Sequence, residues 1–143
     1  MGKTILYRLS GIGGIPKKLR PILESEEIVV SDEGVRGWYI TKDFKAPGKR
    51  YIHRREGFSG CLVVTRKRIV CYTYRKRQIN ISVDDPSLSA LCVKLLEPDK
   101  ISLSFEAAVF HKDQRGVIEF QFKTEKAPEF YDVMGAIVLR RNI

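Results

Sequence analysis

The feature that most constrains the fold is a long succession of short β segments that ends in one helical segment. Between Glu26 and Lys123 apolar and polar residues alternate, and turn-forming residues interrupt the pattern at short intervals. The last β segment shows the alternation most clearly, because Ile118, Phe120 and Phe122 fall on one face of an extended chain. The pattern predicts a mainly β protein.

The turn residues divide this region into segments. Asp32, Glu33 and Gly34 predict a turn after the first segment. The stretch 42–57 contains Pro47-Gly48 and predicts either a long loop or a twisted hairpin around that dipeptide. We predict strands at 26–31, 35–41, 58–65, 68–74, 78–83, 90–97, 100–109 and 117–123.

After Thr124 the apolar spacing changes to the helical period. A stripe of apolar residues follows at this spacing, formed by Phe130, Val133, Met134, Ile137 and Val138. Thr124 is a suitable N-cap, and Pro128 is tolerated because it falls near the first turn. We therefore predict an amphipathic helix over 125–141.

The N-terminal residues have a different composition. The stretch 1–21 is rich in glycine and proline and predicts an irregular segment, with a short helix over 17–24. Since the chain has 143 residues, we predict one domain over 1–143, with a β-barrel over 22–124 and the helix at its end.

Three stretches carry a family resemblance. They are LESEEIVVSDEGVRGWYIT at the start of the β region, GCLVVTRKRIVCY in its middle and EFQFKTEKAPEFYDVM at its end. They resemble the opening strand, the central hairpin and the closing strand and helix of pleckstrin-homology-like (PH-like) domains of the GRAM and bacterial types. The resemblance spans roughly residues 22–140. It implies a partly open antiparallel barrel of about seven strands, capped by the C-terminal helix. It also implies a scaffold that binds lipids, phosphoinositides or proteins, usually without enzymatic activity.

Positive charge is concentrated in one part of the chain. The net charge is +9, and the stretch from Arg36 to Arg77 holds thirteen Lys and Arg residues against two acidic residues. The residues before and after this stretch are close to balanced. A local excess of this kind attracts phosphates, anionic lipids or acidic proteins.

Strand direction predicts where this charge collects. If the strand at 58–65 runs away from the 42–57 stretch, the strand at 68–74 returns to the same end. We therefore predict a basic lip that binds anionic headgroups, formed by Lys49, Arg50, Arg54, Arg55, Arg75, Lys76 and Arg77. The alternative is that these long side chains only cover apolar strand surface.

Trp38 and Tyr39 lie close to this region in the predicted sheet. Because adjacent strand residues point to opposite faces, we expect one ring buried and the other exposed. An exposed aromatic ring near a basic lip suits a membrane interface.

The residue types needed for catalysis are sparse. His53 and His111 have no metal-ligand partners at a suitable spacing, and the glycines at 11–14 lack the GK[ST] of a phosphate loop. We predict that Cys61, Cys71 and Cys92 are small core or sheet residues. Their odd number and wide spacing also indicate a protein of a reducing compartment. We predict no enzymatic activity, no metal, no cofactor and no small-molecule substrate.

Three functions remain open from the sequence. The first is a binding module for anionic lipid or a membrane surface. The second is a protein-interaction or assembly module, including a homo-oligomer, that uses an exposed strand edge or the barrel groove. The third is non-specific nucleic-acid binding, which only the charge supports. No apolar run reaches the roughly 18 residues of a membrane span, so we expect a cytoplasmic protein, free or at the membrane periphery.

Overall fold

A computed structural model describes residues 2–141 and their side chains through Leu139. The chain forms one antiparallel sheet of seven strands in the order β4-β3-β2-β1-β7-β6-β5. The mainly β fold with a C-terminal helix is confirmed. The strands are β1 (Ile28–Ala46), β2 (Lys49–Thr65), β3 (Arg68–Thr73), β4 (Lys76–Ser82), β5 (Cys92–Glu97), β6 (Lys100–Glu106) and β7 (Arg115–Lys123). The helices are α1 (Ile5–Ser10), α2 (Arg20–Ser25) and α3 (Ala127–Arg141).

The sheet curls around one main core. Side chains from β1 to β4, β6 and β7 meet α3 in this core, and Val93 of β5 packs against it. Phe130 and Met134 of α3 are fully buried there, while Val133, Ile137 and Val138 pack against its margin. The predicted apolar stripe is therefore the face by which α3 caps the partly open barrel.

The two longest strands form one hairpin. β1 has 19 residues and β2 has 17, and from the Pro47-Gly48 turn they pair along their length apart from two register shifts near the start of β1. Of the two predictions for 42–57, the hairpin is confirmed and the loop is wrong. Gly48 has a φ of 74°, a left-handed conformation that glycine adopts without steric cost.

The predicted turn at Asp32–Gly34 is wrong, because these residues form a β-bulge inside β1. The pairing with β2 shifts its register between Asp32 and Val35, and Gly34 has a φ of 68°. The bulge is held by contacts that are distant in sequence. Asp32 accepts hydrogen bonds from Lys3 Nζ at 2.5 Å and from the Thr124 hydroxyl at 2.6 Å.

The N-terminal segment covers the outer face of the sheet. Its residues Ile15 and Leu23 are buried against a second apolar cluster, formed with Cys61, Val63 and Val70 of β2 and β3. The stretch 61–64 is consequently buried on both faces, which explains why its sequence is apolar without alternation.

The two N-terminal helices differ from the sequence prediction. α2 begins at Arg20, where we predicted a helix over 17–24, because Pro21 is accommodated in the first turn. α1 lies in a stretch that was predicted to be irregular. The Thr4 hydroxyl accepts from Tyr7 N, and Gly11 ends the helix with a φ of 73°.

The remaining boundaries shift by a few residues. α3 begins at Ala127, and Thr124 caps the preceding turn by accepting from Lys126 N at 3.1 Å. Short 3₁₀ helices occupy 86–90, where the predicted strand begins at residue 90, and 107–109, which the predicted strand 100–109 includes entirely. Met1, Asn142 and Ile143 of the predicted domain lie outside the described residues.

No helix in the described part of the chain has the length and apolar character needed to cross a lipid bilayer.

Candidate functional site

A cavity of about 830 Å³ opens at the end of the sheet that carries the β1–β2 and β3–β4 turns. Residues of six strands and of the β6–β7 connection line it. Its inner part is apolar. We call this inner part the floor of the cavity, and it is formed by the buried side chains of Phe44, Phe58, Phe105, Ile118 and Phe120.

Five basic residues line the same cavity from the two turns. They are exposed, and we call them the basic rim: Lys49, Arg54, Arg75, Lys76 and Arg77. The predicted return of β3 to the β1–β2 turn therefore brings the two clusters together. The basic rim contains five of the seven residues that the sequence predicted for the basic lip.

Arg50 and Arg55 are not among the residues that line the cavity. Each follows a rim residue directly on β2, and successive strand residues point to opposite faces. The Arg55 guanidinium instead lies 5.2 Å from the centre of the Trp38 ring, and Lys100 Nζ lies 4.8 Å from it. The sequence prediction grouped all seven because it left this stretch unassigned between a loop and a strand.

Trp38 and Tyr39 also differ from the expectation of one buried and one exposed ring. Both are half-buried. Tyr39 lines the cavity, and its ring centre lies 5.2 Å from that of Phe120 in a tilted arrangement, whereas Trp38 on the other face is covered by Arg55 and Lys100.

A second bulge decides which side chains reach the cavity. Asp43 has a φ of 49°, and the pairing of β1 with β7 shifts between Lys42 and Lys45. Gly116 lies against the bulge, where an added Cβ would stand 2.5 Å from the Asp43 carbonyl oxygen. Because of the bulge, Thr41 and Phe44 face the cavity together although three positions separate them.

The partners of these residues on β2 face the same way. Arg54 pairs with Thr41 and Tyr51 pairs with Phe44 in the strand register. Tyr51 stacks on Phe44 at 6.1 Å, and the Arg54 guanidinium lies 4.6 Å from the centre of the Tyr51 ring. The cation is thus held above an aromatic surface at the boundary between rim and floor.

The rim carries uncompensated positive charge. Arg54 forms an ion pair with Glu56, and Asp113 is the other carboxylate that lines the cavity. Among residues 2–139, no salt bridge involves the other four rim cations. Five cations therefore face two carboxylates at the mouth.

The opposite end of the β2–β3 hairpin shows the contrast. There Arg68 bonds Glu26 at 2.6 Å, and Arg66 bonds Glu27 at 2.8 Å. The basic residues at that end are largely neutralised within the chain. The excess positive potential is consequently expected at the end that carries the β1–β2 and β3–β4 turns.

One polar atom inside the cavity has no partner. Thr41 is only 2% exposed, and its hydroxyl makes no hydrogen bond to the described residues. Tyr39 lies two residues away, and burial raises the pKa of its phenol, with Glu56 adding to the effect. A buried hydroxyl without a partner is uncommon in folded proteins, and it marks a place where a ligand or water can bind.

Sequence reasoning missed the floor of the cavity. The sequence shows apolar residues on β1 and β7, but the bulge at Asp43 has no clear sequence signal. The segment 42–57 contains an alternation that fits the observed faces only after the bulge is known.

The cysteines and histidines form no reactive arrangement in the described chain. Burial raises the pKa of the Cys61 thiol to about 12 and that of Cys71 well above 9.0, so both are poor nucleophiles. Cys92 is exposed on β5. His53 is exposed on β2, and His111 follows the second 3₁₀ helix. Residues 2–141 contain no group of three or more His, Cys, Asp or Glu residues placed to hold a metal ion.

The chain matches no known protein-family model and no curated protein sequence. The geometry of the cavity and the charge of its rim are therefore the basis on which we assign a function.

Proposed function

We propose that the protein is a PH-like binding module without catalytic activity, whose basic rim binds anionic phospholipid headgroups at a membrane surface. The observation that carries the proposal is the collection of five cations at one cavity mouth, four of them without an ion pair among residues 2–139. Each cation near an anionic surface contributes about 1 kcal/mol of attraction.

The end of the molecule that carries the rim suits a planar surface. The β1–β2 turn and the β3–β4 turn both stand at this end, and Ile52 near the first turn is 79% exposed. Cations next to an exposed apolar side chain fit the interfacial region of a bilayer, where charge and apolar contact act together. On this proposal the protein is cytoplasmic and peripheral to the membrane.

Co-sedimentation with vesicles tests the proposal. The wild type is expected to bind vesicles that contain phosphatidylserine and not neutral phosphatidylcholine vesicles, more strongly at about 0.05 M than at about 0.15 M salt. A rim variant, Lys49→Glu/Lys76→Glu, is expected to lose this binding. The matched control is Arg50→Glu/Lys67→Glu, which changes the net charge equally but outside the cavity lining.

Besides an absence of binding to phosphatidylserine vesicles, two results would contradict the proposal. Equal loss in both double variants would mean that net charge, and not the rim, determines binding. Binding of a labelled single-stranded oligonucleotide by the wild type, lost in the rim variant, without any binding to vesicles, would favour the nucleic-acid alternative.

A second candidate function is assembly with another protein chain through β5. This strand is at the edge of the sheet, and Leu95 and Leu96 on it are 38% and 43% exposed. An open edge with exposed apolar side chains is a template for strand addition. Light scattering is expected to give a dimer that Leu95→Lys dissociates, and a monomer at high concentration would contradict this candidate.

A further inference from the structure

We propose that the cavity binds a single-chain anionic lipid, with its acid group at the rim and its aliphatic chain against the apolar floor. The inference rests on the proposed function and specifies its ligand. It separates two kinds of binding that the rim alone would not distinguish, namely a headgroup that touches only the cations and a lipid that also fills the interior.

The first argument is the size and lining of the cavity. Its volume of about 830 Å³ lies within the range of small-molecule sites, and its lining combines an apolar floor with the charged and polar side chains of the mouth. A polar headgroup would occupy the mouth of the cavity and leave the aromatic floor without an apolar contact. An aliphatic chain covers that floor and gains from leaving water.

The second argument is the unpartnered hydroxyl of Thr41. Arg54 stands opposite Thr41 in the register of β1 and β2, so their Cβ atoms are about 5 Å apart on the same face. An oxygen of a phosphate or carboxylate placed between them accepts a hydrogen bond from each. This position supplies the missing partner of Thr41 and gives Arg54 a second anionic partner beside Glu56.

The third argument is that the positive charge of Arg54 and the aromatic surface of the floor are adjacent. Arg54 rests on Tyr51, and Tyr51 stacks on Phe44 of the floor. A ligand with its acid group at Arg54 therefore has an apolar surface directly next to that group. This juxtaposition of cation, orphan hydroxyl and aromatic floor is what an anionic amphiphile complements.

Calorimetric titration with three soluble probes below their micelle concentrations tests the inference. Dodecyl phosphate carries the anion and the chain, glycerol 3-phosphate carries the anion alone, and dodecyl maltoside carries the chain alone. Dodecyl phosphate is expected to bind with a stoichiometry near one and at least about tenfold more tightly than either of the others.

Variants locate the bound probe. Thr41→Val keeps the shape of the side chain and is expected to weaken dodecyl phosphate binding by about threefold to tenfold, while the protein stays folded. Ala46→Trp adds volume at a half-buried position of the lining and is expected to reduce binding further. Arg55→Gln, next to the rim on the opposite face, is the control and is expected to change nothing.

The outcomes separate the inference from the proposed function. If glycerol 3-phosphate binds as tightly as dodecyl phosphate, or if anionic vesicles bind and dodecyl phosphate does not, the inference is wrong and the rim proposal stands. If neither vesicles nor dodecyl phosphate binds, both are wrong. Equal binding of dodecyl maltoside would contradict the role of the anion.

Discussion

At the scale of single residues, the cavity depends on which face each side chain takes. Lys49 and Arg54 line it, whereas the neighbours Arg50 and Arg55 do not, although all four have the same charge. Residue type indicates where basic residues concentrate along the chain but not how they divide between the two faces of the hairpin. That division follows from strand alternation together with the bulge at Asp43, since Lys49 and Arg54 are five positions apart and strict alternation would put them on opposite faces.

Thr41 provides a prediction at this scale. Without ligand, its buried hydroxyl loses hydration and gains no partner among the described residues, so Thr41→Val is expected to raise the free energy of unfolding by about 1 kcal/mol. Urea denaturation of the free protein measures this change.

Thr73 is the matched control for that measurement. It lines the same cavity and is 6% exposed, but its hydroxyl accepts a hydrogen bond from Gln78 at 2.7 Å. Thr73→Val is expected to lower the free energy of unfolding by about 1 kcal/mol, because the Gln78 donor loses its partner. If both variants are destabilised alike, the Thr41 hydroxyl is paired in solution without a ligand.

At the scale of elements, the bulges position the helices and the site. The bulge at Asp32–Gly34 anchors the N-terminal segment and the start of α3, since Asp32 is bonded by both Lys3 and Thr124. Periodicity and turn residues predict most strand segments, α3 and, as one of two alternatives, the Pro47-Gly48 hairpin, but they divide β1 into two segments. The bulges were not predictable, because Asp, Glu and Gly have the same local preference for a bulge as for a turn.

Asp32 gives the prediction at this scale. Burial acts to raise the pKa of its carboxyl group, but the hydrogen bonds from Lys3 and Thr124 outweigh burial and lower the pKa below 3.8. Since the folded pKa is lower than the unfolded one, the carboxylate stabilises the fold above pH 3.8, and this contribution is lost as the pH falls through the folded pKa.

We therefore expect Asp32→Asn to lower the free energy of unfolding at neutral pH by about 2 kcal/mol. The difference between the variant and the wild type is expected to shrink as the pH falls below 3.8. Urea titrations at several pH values measure both effects. The control is Asp113→Asn, which changes an exposed aspartate. A difference that is constant over pH would show that the loss comes from geometry and not from the carboxylate charge.

At the scale of the whole molecule, the two ends of the barrel differ in structure, because one is filled by a helix and the other opens into the cavity. α3 fills one end with Phe130 and Met134, and the basic rim surrounds the cavity at the other. Arg66 and Arg68 at the β2–β3 turn are paired with Glu27 and Glu26, so the excess positive charge collects at the opposite end of the hairpin, which carries the cavity mouth. The sequence predicted this polarity through strand direction, but the cavity floor depends on the curvature and order of the sheet, which local patterns do not encode.

The most direct measurement of the central claim compares two neighbouring residues on β2. Lys49→Glu and Arg50→Glu change the charge equally, at adjacent positions and close to the same turn, but only Lys49 lines the cavity. In co-sedimentation with phosphatidylserine vesicles at about 0.05 M salt, we expect Lys49→Glu to weaken binding by about fivefold or more and Arg50→Glu by less than about twofold. Equal effects of the two substitutions would contradict the assignment of the binding surface to the basic rim.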